Sequence, residues 1–174
     1  MIFKIWCPSL GVDKNFFAEM LPTPTLSHIP ASLYMQVYEP AEDTFLMLDC
    51  LEESLAGSLG LCVEIGSGSG CISAFLAKHY NIHMIAIDIN PIACKTTLET
   101  AAFNHTNVDS LRGDLLHCIR DGVVDLIVFN PPYVVTSSDE IGGNGIEAAW
   151  AGGIDGREVI DRFLQNANVF HRLT

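Results

Sequence analysis

"LCVEIGSGSGCISAFLAKHY" (residues 61–80) is the stretch that decides the fold. "LCVEI" (61–65) has the length and apolar character of a buried strand, and "CISAFLAKHY" reads as a helix. Between them Gly66, Gly68 and Gly70 let the backbone turn tightly and approach a ligand closely. A dinucleotide fingerprint, G-x-G-x-x-G, would place its third glycine at position 71, where this chain has Cys71. The third glycine comes one residue early, and Glu64 precedes the loop. By itself such a loop fits nucleotide binding and a structural tight turn equally well.

The alternation continues on both sides. "IHMIAID" (82–88) is a second strand, and "NPIACKTTLETAAF" opens a helix with Asn90 as cap and Pro91 at its first position. "VDSLRGD" is a weaker third strand and "VVDLIVF" (123–129) a strong fourth. A Gly-rich loop then runs to about residue 153, before a helix carrying Val159, Ile160, Phe163 and Leu164. Upstream, "YEPAEDTFLMLDCLEESL" is helical, with Phe45, Leu48, Leu51 and Leu55 recurring at three or four residues. Pro40 suits its first turn, and Glu42 and Asp43 favour its N-terminal dipole. Residues 1–37 contain four prolines and no sustained period, so they read as an N-terminal arm before a domain over 38–174. Strands alternating with crossover helices imply an α/β sandwich with a mostly parallel sheet. Ligands in such sheets sit at the carboxyl ends of the strands, and every unusual motif here falls at such an end.

The bulk numbers narrow the partners. At 174 residues with 49% apolar and 17% charged residues, the chain has the composition of one globular domain. Nine basic against twenty-one acidic residues give a net charge of −12 with no Lys/Arg cluster, so nucleic acid is disfavoured as the main partner. Six cysteines form no CxxC pair and suggest buried free thiols in a reducing compartment. There is no run of about 18 apolar residues to span a membrane, and the opening "MIFKIWCPSLGVDKNFF" has too short an apolar run for a secretory signal. Cytosol or nucleus is the expected location.

Three carboxylates follow the strand ends. Asp88 closes the second strand, where it can accept from both hydroxyls of a ribose. Asp114, after the third, can accept from an exocyclic adenine amine or simply form an Asx turn after Gly113. Glu64 would gain a counter-charge from a ligand with a cationic amino-acid group, which offsets the cost of burial. Acidic groups without a phosphate-binding Lys or Arg suit an adenosine with a cationic tail. S-adenosylmethionine fits that description; a dinucleotide pyrophosphate does not.

"NPPYVV" (130–135) ends the fourth strand. Its two prolines remove two N–H donors and leave carbonyl oxygens at a rigid turn. The Asn130 side-chain oxygen and the Pro131 carbonyl can each accept one N–H of a planar –NH2 group, while Tyr133 lies against the group's face. Such nitrogens are poor nucleophiles because their lone pairs are delocalised. Methyl transfer to them needs alignment with the donor carbon at about 3 Å and stabilisation of the charge developing on nitrogen.

In order, "VEIGSGSG", "AIDINP", "RGD" and "NPPYV" resemble a class I S-adenosylmethionine-dependent methyltransferase. The flanking strings "VYEPAEDTFLMLDCLE" and "GIEAAWAGGIDGREVIDRF" resemble the eukaryotic and archaeal HemK-like branch, over about residues 37–164. The resemblance implies a Rossmann-like sandwich and methylation of the glutamine side-chain amide in the GGQ loop of a class 1 peptide-chain release factor. It also implies a small zinc-binding activator subunit as heterodimer partner, with no metal in this chain. Carried over by position, cofactor contacts fall on Thr44, Glu64, Gly66, Gly68, Asp88, Asp114, Leu115 and Asn130. The acceptor amide would meet Asn130, Pro131, Pro132 and Tyr133. The loop with Glu147 and Trp150 either covers the substrate or is a Gly-rich connector that packs one Trp.

Two departures stand out. Residues 1–19 have no counterpart in the branch, and Met20 with "LPTP" resembles an alternative family start. "LQNANVFHRLT" does not resemble the continuation, so the final strands are expected to be missing and the apolar edge of "VVDLIVF" unpaired. Two other readings therefore stand beside the glutamine methyltransferase: an adenine-amino methyltransferase acting on nucleic acid, and an inactive truncated isoform that binds the activator.

Overall fold

The computed structural model describes residues 3–5 (as backbone), 20–55, 59–143 and 145–167. It shows a five-stranded sheet in the order β1-β5-β2-β3-β4. The central strands are β2 (Leu61–Ile65), β3 (His83–Asp88) and β5 (Leu126–Phe129), and β4 (Asp109–Arg112) is the outer strand on one side. All four pair in parallel, with Ile65 opposite both Ile87 and Phe129 and Asp88 opposite Arg112. Their carboxyl ends therefore finish level with one another.

The edge expected to be unpaired is not. β1 (Phe3–Ile5) runs antiparallel along β5, with Phe3 opposite Phe129 and Ile5 opposite Ile127. The reading of the opening residues as an arm had no way to see this, because a three-residue strand carries no period of its own. Residues 6–19, and the end of "LQNANVFHRLT" from 168 onward, lie outside the described residues.

Side-chain alternation along β2 divides the core in two. Cys62 joins Leu126, Val128 and Met84 in packing against Met47, Leu48 and Leu51 of α1 (Glu42–Ser54) and Ile72, Phe75 and Leu76 of α2 (Cys71–His79). Val63 and Ile65 face the other way, with Ile87, Leu115, Leu116, Ile127 and Phe129, against Val159 and Phe163 of α4 (Glu158–Ala167). Strands covered on both faces read as continuous apolar runs, which is why β2 and β5 were legible.

Two details of α1 differ from expectation. Pro40 lies ahead of the Ala41 cap rather than in the first turn, and Phe45 points outward. The buried stripe is Thr44, Met47, Leu48 and Leu51. Residues 20–37 follow the domain closely: Leu21 and Leu26 pack on the first core, Ile29 and Val37 are buried, and Thr25 exchanges hydrogen bonds with Asn104. Leu164 on α4 is largely exposed, unlike Phe163. Of the described cysteines all are free, but only Cys62 and Cys71 are buried and Cys118 is exposed. Among the described residues no helix is long and apolar enough to cross a membrane.

The early third glycine has a packing cause. Gly70 caps α2 at φ +78°, and a Cβ there would come within 2.7 Å of the Thr97 Cα on α3 (Pro91–Phe103). Left-handed strain and overpacking add, so Gly70→Ala is expected to destabilise the fold by about 3 kcal/mol. A urea titration checks this, and an unchanged midpoint would mean that α3 can give way.

Candidate functional site

The glycine loop is held from three sides. Gly66 and Ser67 donate backbone N–H groups to the Ile87 carbonyl at 2.8 and 3.2 Å. Thr97 donates to the Ser67 hydroxyl at 2.9 Å, and the Thr100 hydroxyl to the Ser69 carbonyl at 2.6 Å. Asp88 closes the third side: its Oδ2 accepts from the Gly68 N–H and its Oδ1 from the Asn90 N–H, both at 2.9 Å. Asn90 in turn caps α3 through the Ile92 N–H, as expected from the sequence. Asp88 is therefore a loop brace as well as a candidate ribose acceptor.

Above this loop lies a cavity of about 240 Å3. Every residue expected to contact the cofactor or the acceptor amide lines it: Thr44, Glu64, Gly66, Gly68, Asp88, Asp114, Leu115, Asn130, Pro131, Pro132 and Tyr133. Four strand ends supply most of that wall, which is the site expected of a parallel sheet. Trp150 lines the far wall with Ile141, whereas Glu147 does not reach the cavity. The loop carrying Trp150 is tied to the proline turn by Val134 N–H to Trp150 O (2.9 Å) and Gly152 N–H to Val134 O (2.8 Å). Leu115 holds φ +51°, a costly conformation for a β-carbon residue, and its side chain is buried against the cavity.

Glu64 is 2% exposed on the α2 side of the sheet, where Ser73 donates a hydrogen bond to its Oε2. Burial pushes its carboxyl up to about 8; the Ser73 bond opposes this and the nearby Asp88 charge adds to it. Burial also raises Asp88, against the pull of the Gly68 and Asn90 N–H groups. Cys71, beside the loop, goes up to about 12 by burial and by the proximity of Glu64, which makes it an inert thiol.

Two residues were missed by the sequence reading. Arg162 of α4 lines the cavity and pairs with the Asp114 carboxylate, so the ligand side is not free of cations. Asp43, assigned only to the helix dipole, accepts from the Asn130 side-chain nitrogen at 3.0 Å and from the Tyr38 hydroxyl at 3.1 Å. Arg162 stands three positions after Val159, which also lines the cavity, but its contact with Asp114 spans 48 positions and leaves no local pattern.

The lining carboxylates fit a ligand that carries hydroxyls and a cationic group. Among the described residues neither Glu64 nor Asp88 has an ion-pair partner, and both face a loop whose Gly66 has open space where a Cβ would stand. A ligand bearing hydroxyls and an ammonium group satisfies both carboxylates, and S-adenosylmethionine carries each.

The fold and site thus define a class I methyltransferase. The methyltransferase small domain model matches residues 41–150. "Methyltransferase HEMK2" of Mus musculus is 51% identical over 154 residues, covering 84% of this chain and 72% of that protein. "eRF1 methyltransferase catalytic subunit mtq2" of Schizosaccharomyces pombe is 38% identical over 167 residues, covering 83% and 72%. The crystal structure of a ribosomal protein L11 methylase from Lactobacillus delbrueckii subsp. bulgaricus superposes with a TM-score of 0.57 at 19% identity. That match covers 78% of this chain and 57% of the other, and shows the shared fold. The chain belongs to the methyltransferase small domain family and is a HemK-like class I methyltransferase, a class whose methyl donor is S-adenosylmethionine.

Proposed function

We propose that the chain methylates the side-chain amide nitrogen of a glutamine in a class 1 peptide-chain release factor. The observation that carries this is the placement of the Asn130–Tyr133 turn at the end of β5, next to the glycine loop of β2 and in one cavity with it. The yeast relative's name supports the release factor as substrate, and the likeness of the flanking motifs to HemK-like enzymes supports the glutamine.

S-adenosylmethionine would supply an electrophilic methyl group on sulfonium sulfur. Glu64 would hold the ammonium of its amino-acid tail, Asp88 the ribose hydroxyls and Asp114 with Leu115 the adenine. Asn130 Oδ1 and the Pro131 carbonyl would accept the two N–H bonds of the glutamine amide and turn its nitrogen towards the methyl carbon. Those two oxygens would stabilise the positive charge that develops on the amide nitrogen as it takes the methyl group from sulfur. The methylated amide would then release one proton to solvent, with S-adenosylhomocysteine as the other product. Tyr133, 49% exposed at the mouth, would lie along the amide plane and limit water.

A small zinc-binding activator subunit is part of the same reading. Its support is the words "catalytic subunit" in the yeast name and the outer position of β4, where Leu111 is exposed. The test is to incubate the chain and activator with isotopically labelled S-adenosylmethionine and a release factor, and to map the label by mass spectrometry. Label on the loop glutamine supports the proposal. Label on a lysine of the release factor, or on adenine when a nucleic acid is supplied in its place, overturns it.

A further inference from the structure

The Asn130 carboxamide has two ends of nearly equal size and opposite polarity. Rotated by half a turn it would present N–H donors to an acceptor amide that itself needs oxygens, and methyl transfer would lose one of its two acceptors. Among the described residues, the hydrogen bond that decides between these orientations is made with α1. Asn130 Nδ2 donates to Asp43 Oδ2 at 3.0 Å, across 87 positions of chain.

Asp43 is itself fixed. Its Oδ1 accepts the Thr44 backbone N–H at 2.8 Å, and the Tyr38 hydroxyl reaches Oδ1 and Oδ2 at 3.1 and 3.3 Å. Burial and the Asp43 charge push the Tyr38 phenol up to about 12, so it remains a donor at working pH. Asp43 lies in the first turn of α1, where the helix N-terminus favours a carboxylate, and α1 is anchored through Met47, Leu48 and Leu51. An acceptor-only group, ringed by donors and anchored to the core, leaves Asn130 one orientation: Nδ2 towards Asp43 and Oδ1 towards the cavity.

We propose that Asp43 is the positioning residue that fixes the Asn130 carboxamide with its oxygen presented to the acceptor; this rests on the amide-methylation reading above. The informative substitution is Asp43→Asn, which keeps the shape and exchanges one acceptor for a donor. The Thr44 N–H claims the remaining oxygen, so the new NH2 faces Asn130 and turns its amide over. Asp43→Asn is therefore expected to lower kcat about 10²-fold, as much as Asp43→Ala, with cofactor affinity and thermal midpoint little changed. The double variant Asp43→Asn/Asn130→Asp reverses the pair, leaves an oxygen facing the cavity, and is expected to recover about tenfold over the single variant.

Solution NMR reads the same device without turnover. With asparagine side chains labelled in 15N, the Asn130 NH2 signals (identified by their loss in Asn130→Ala) should be well separated and slow to exchange in the wild type. In Asp43→Ala they should move together and exchange faster. Wild-type kcat in Asp43→Asn, or unmoved Asn130 signals in Asp43→Ala, overturns the proposal. If the wild type methylates no glutamine at all, the amide-methylation reading fails on its own, and the NMR comparison still decides the role of Asp43.

Discussion

Asn130→Ala is expected to lower kcat for amide methylation about 10²- to 10³-fold, the cost of deleting one preorganised polar group at a site of developing charge. The loss should fall on kcat more than on cofactor affinity. Asn130 stands at the end of β5, while the loop that would hold the cofactor is braced independently by Ile87, Thr97, Thr100 and Asp88. Steady-state kinetics with the release factor, together with calorimetric titration of S-adenosylmethionine, separates the two. An equal fall in both would make Asn130 a cofactor residue only. It would leave the acceptor to be oriented by the Pro131 carbonyl and Tyr133. An unchanged kcat would remove the amide-acceptor role from the turn altogether.

What could be read of this site in advance follows from range. The glycine loop, Asp88, Asp114 and the proline turn each sit immediately after a strand, and parallel pairing brings strand ends together whatever the details. Glu64 was readable for the same reason: as one carboxylate in an apolar strand, it has to face something that justifies its burial. The short contacts were equally plain, as in the Asn90 cap on Ile92. By contrast, Asp43 on Asn130 and Arg162 on Asp114 join distant segments through single side chains. Asp43 even had a sufficient local explanation in the helix dipole, which hid its second contact.

The fold shows the same division. β2 matched its expected bounds because it is buried on both faces, whereas β5 begins only at Leu126. Before it Asp125 is turned to accept the Leu61 N–H at 2.8 Å, so the strand's apolar run starts earlier than its pairing. The Gly-rich stretch after the proline turn was read as loop, yet it contains short 3-10 turns at Ser138–Glu140, Ile146–Ala149 and Ile154–Gly156. The first is closed by the Ser137–Glu140 capping box, and the other two are tied in by backbone bonds joining Trp150, Gly152 and Gly153 to Val134 and Thr136, which span 16 to 18 positions. β1 is the extreme case: three residues whose strand character exists only because β5 offers an edge.

S-adenosylmethionine binding is expected to tighten as pH rises, by up to about tenfold per unit between about pH 5.5 and 7.5. Glu64 carries this dependence. In the free protein its carboxyl is pushed from 4.5 up to about 8, by burial first and by Asp88 second, so it holds its proton at neutral pH. An ammonium group placed beside it favours the ionised form, and binding therefore releases a proton. The same shift acts on stability with the opposite sign. Between 4.5 and about 8 the folded state holds a proton that the unfolded state has lost, so stability without cofactor falls as pH rises through that window. Glu64→Gln removes its part of both effects: its cofactor affinity should be weak and nearly flat with pH, and its urea midpoint should fall less across the range than that of the wild type. Calorimetry at fixed ionic strength, stopped below the pH where the ligand's own ammonium titrates, measures the first; urea titration measures the second. A flat wild-type affinity with a falling midpoint would place the ammonium away from Glu64, since the carboxylate would then titrate without sensing the ligand. If affinity rises with pH in Glu64→Gln as in the wild type, another group takes up the linkage, and Asp88, also raised by burial, is the next to replace.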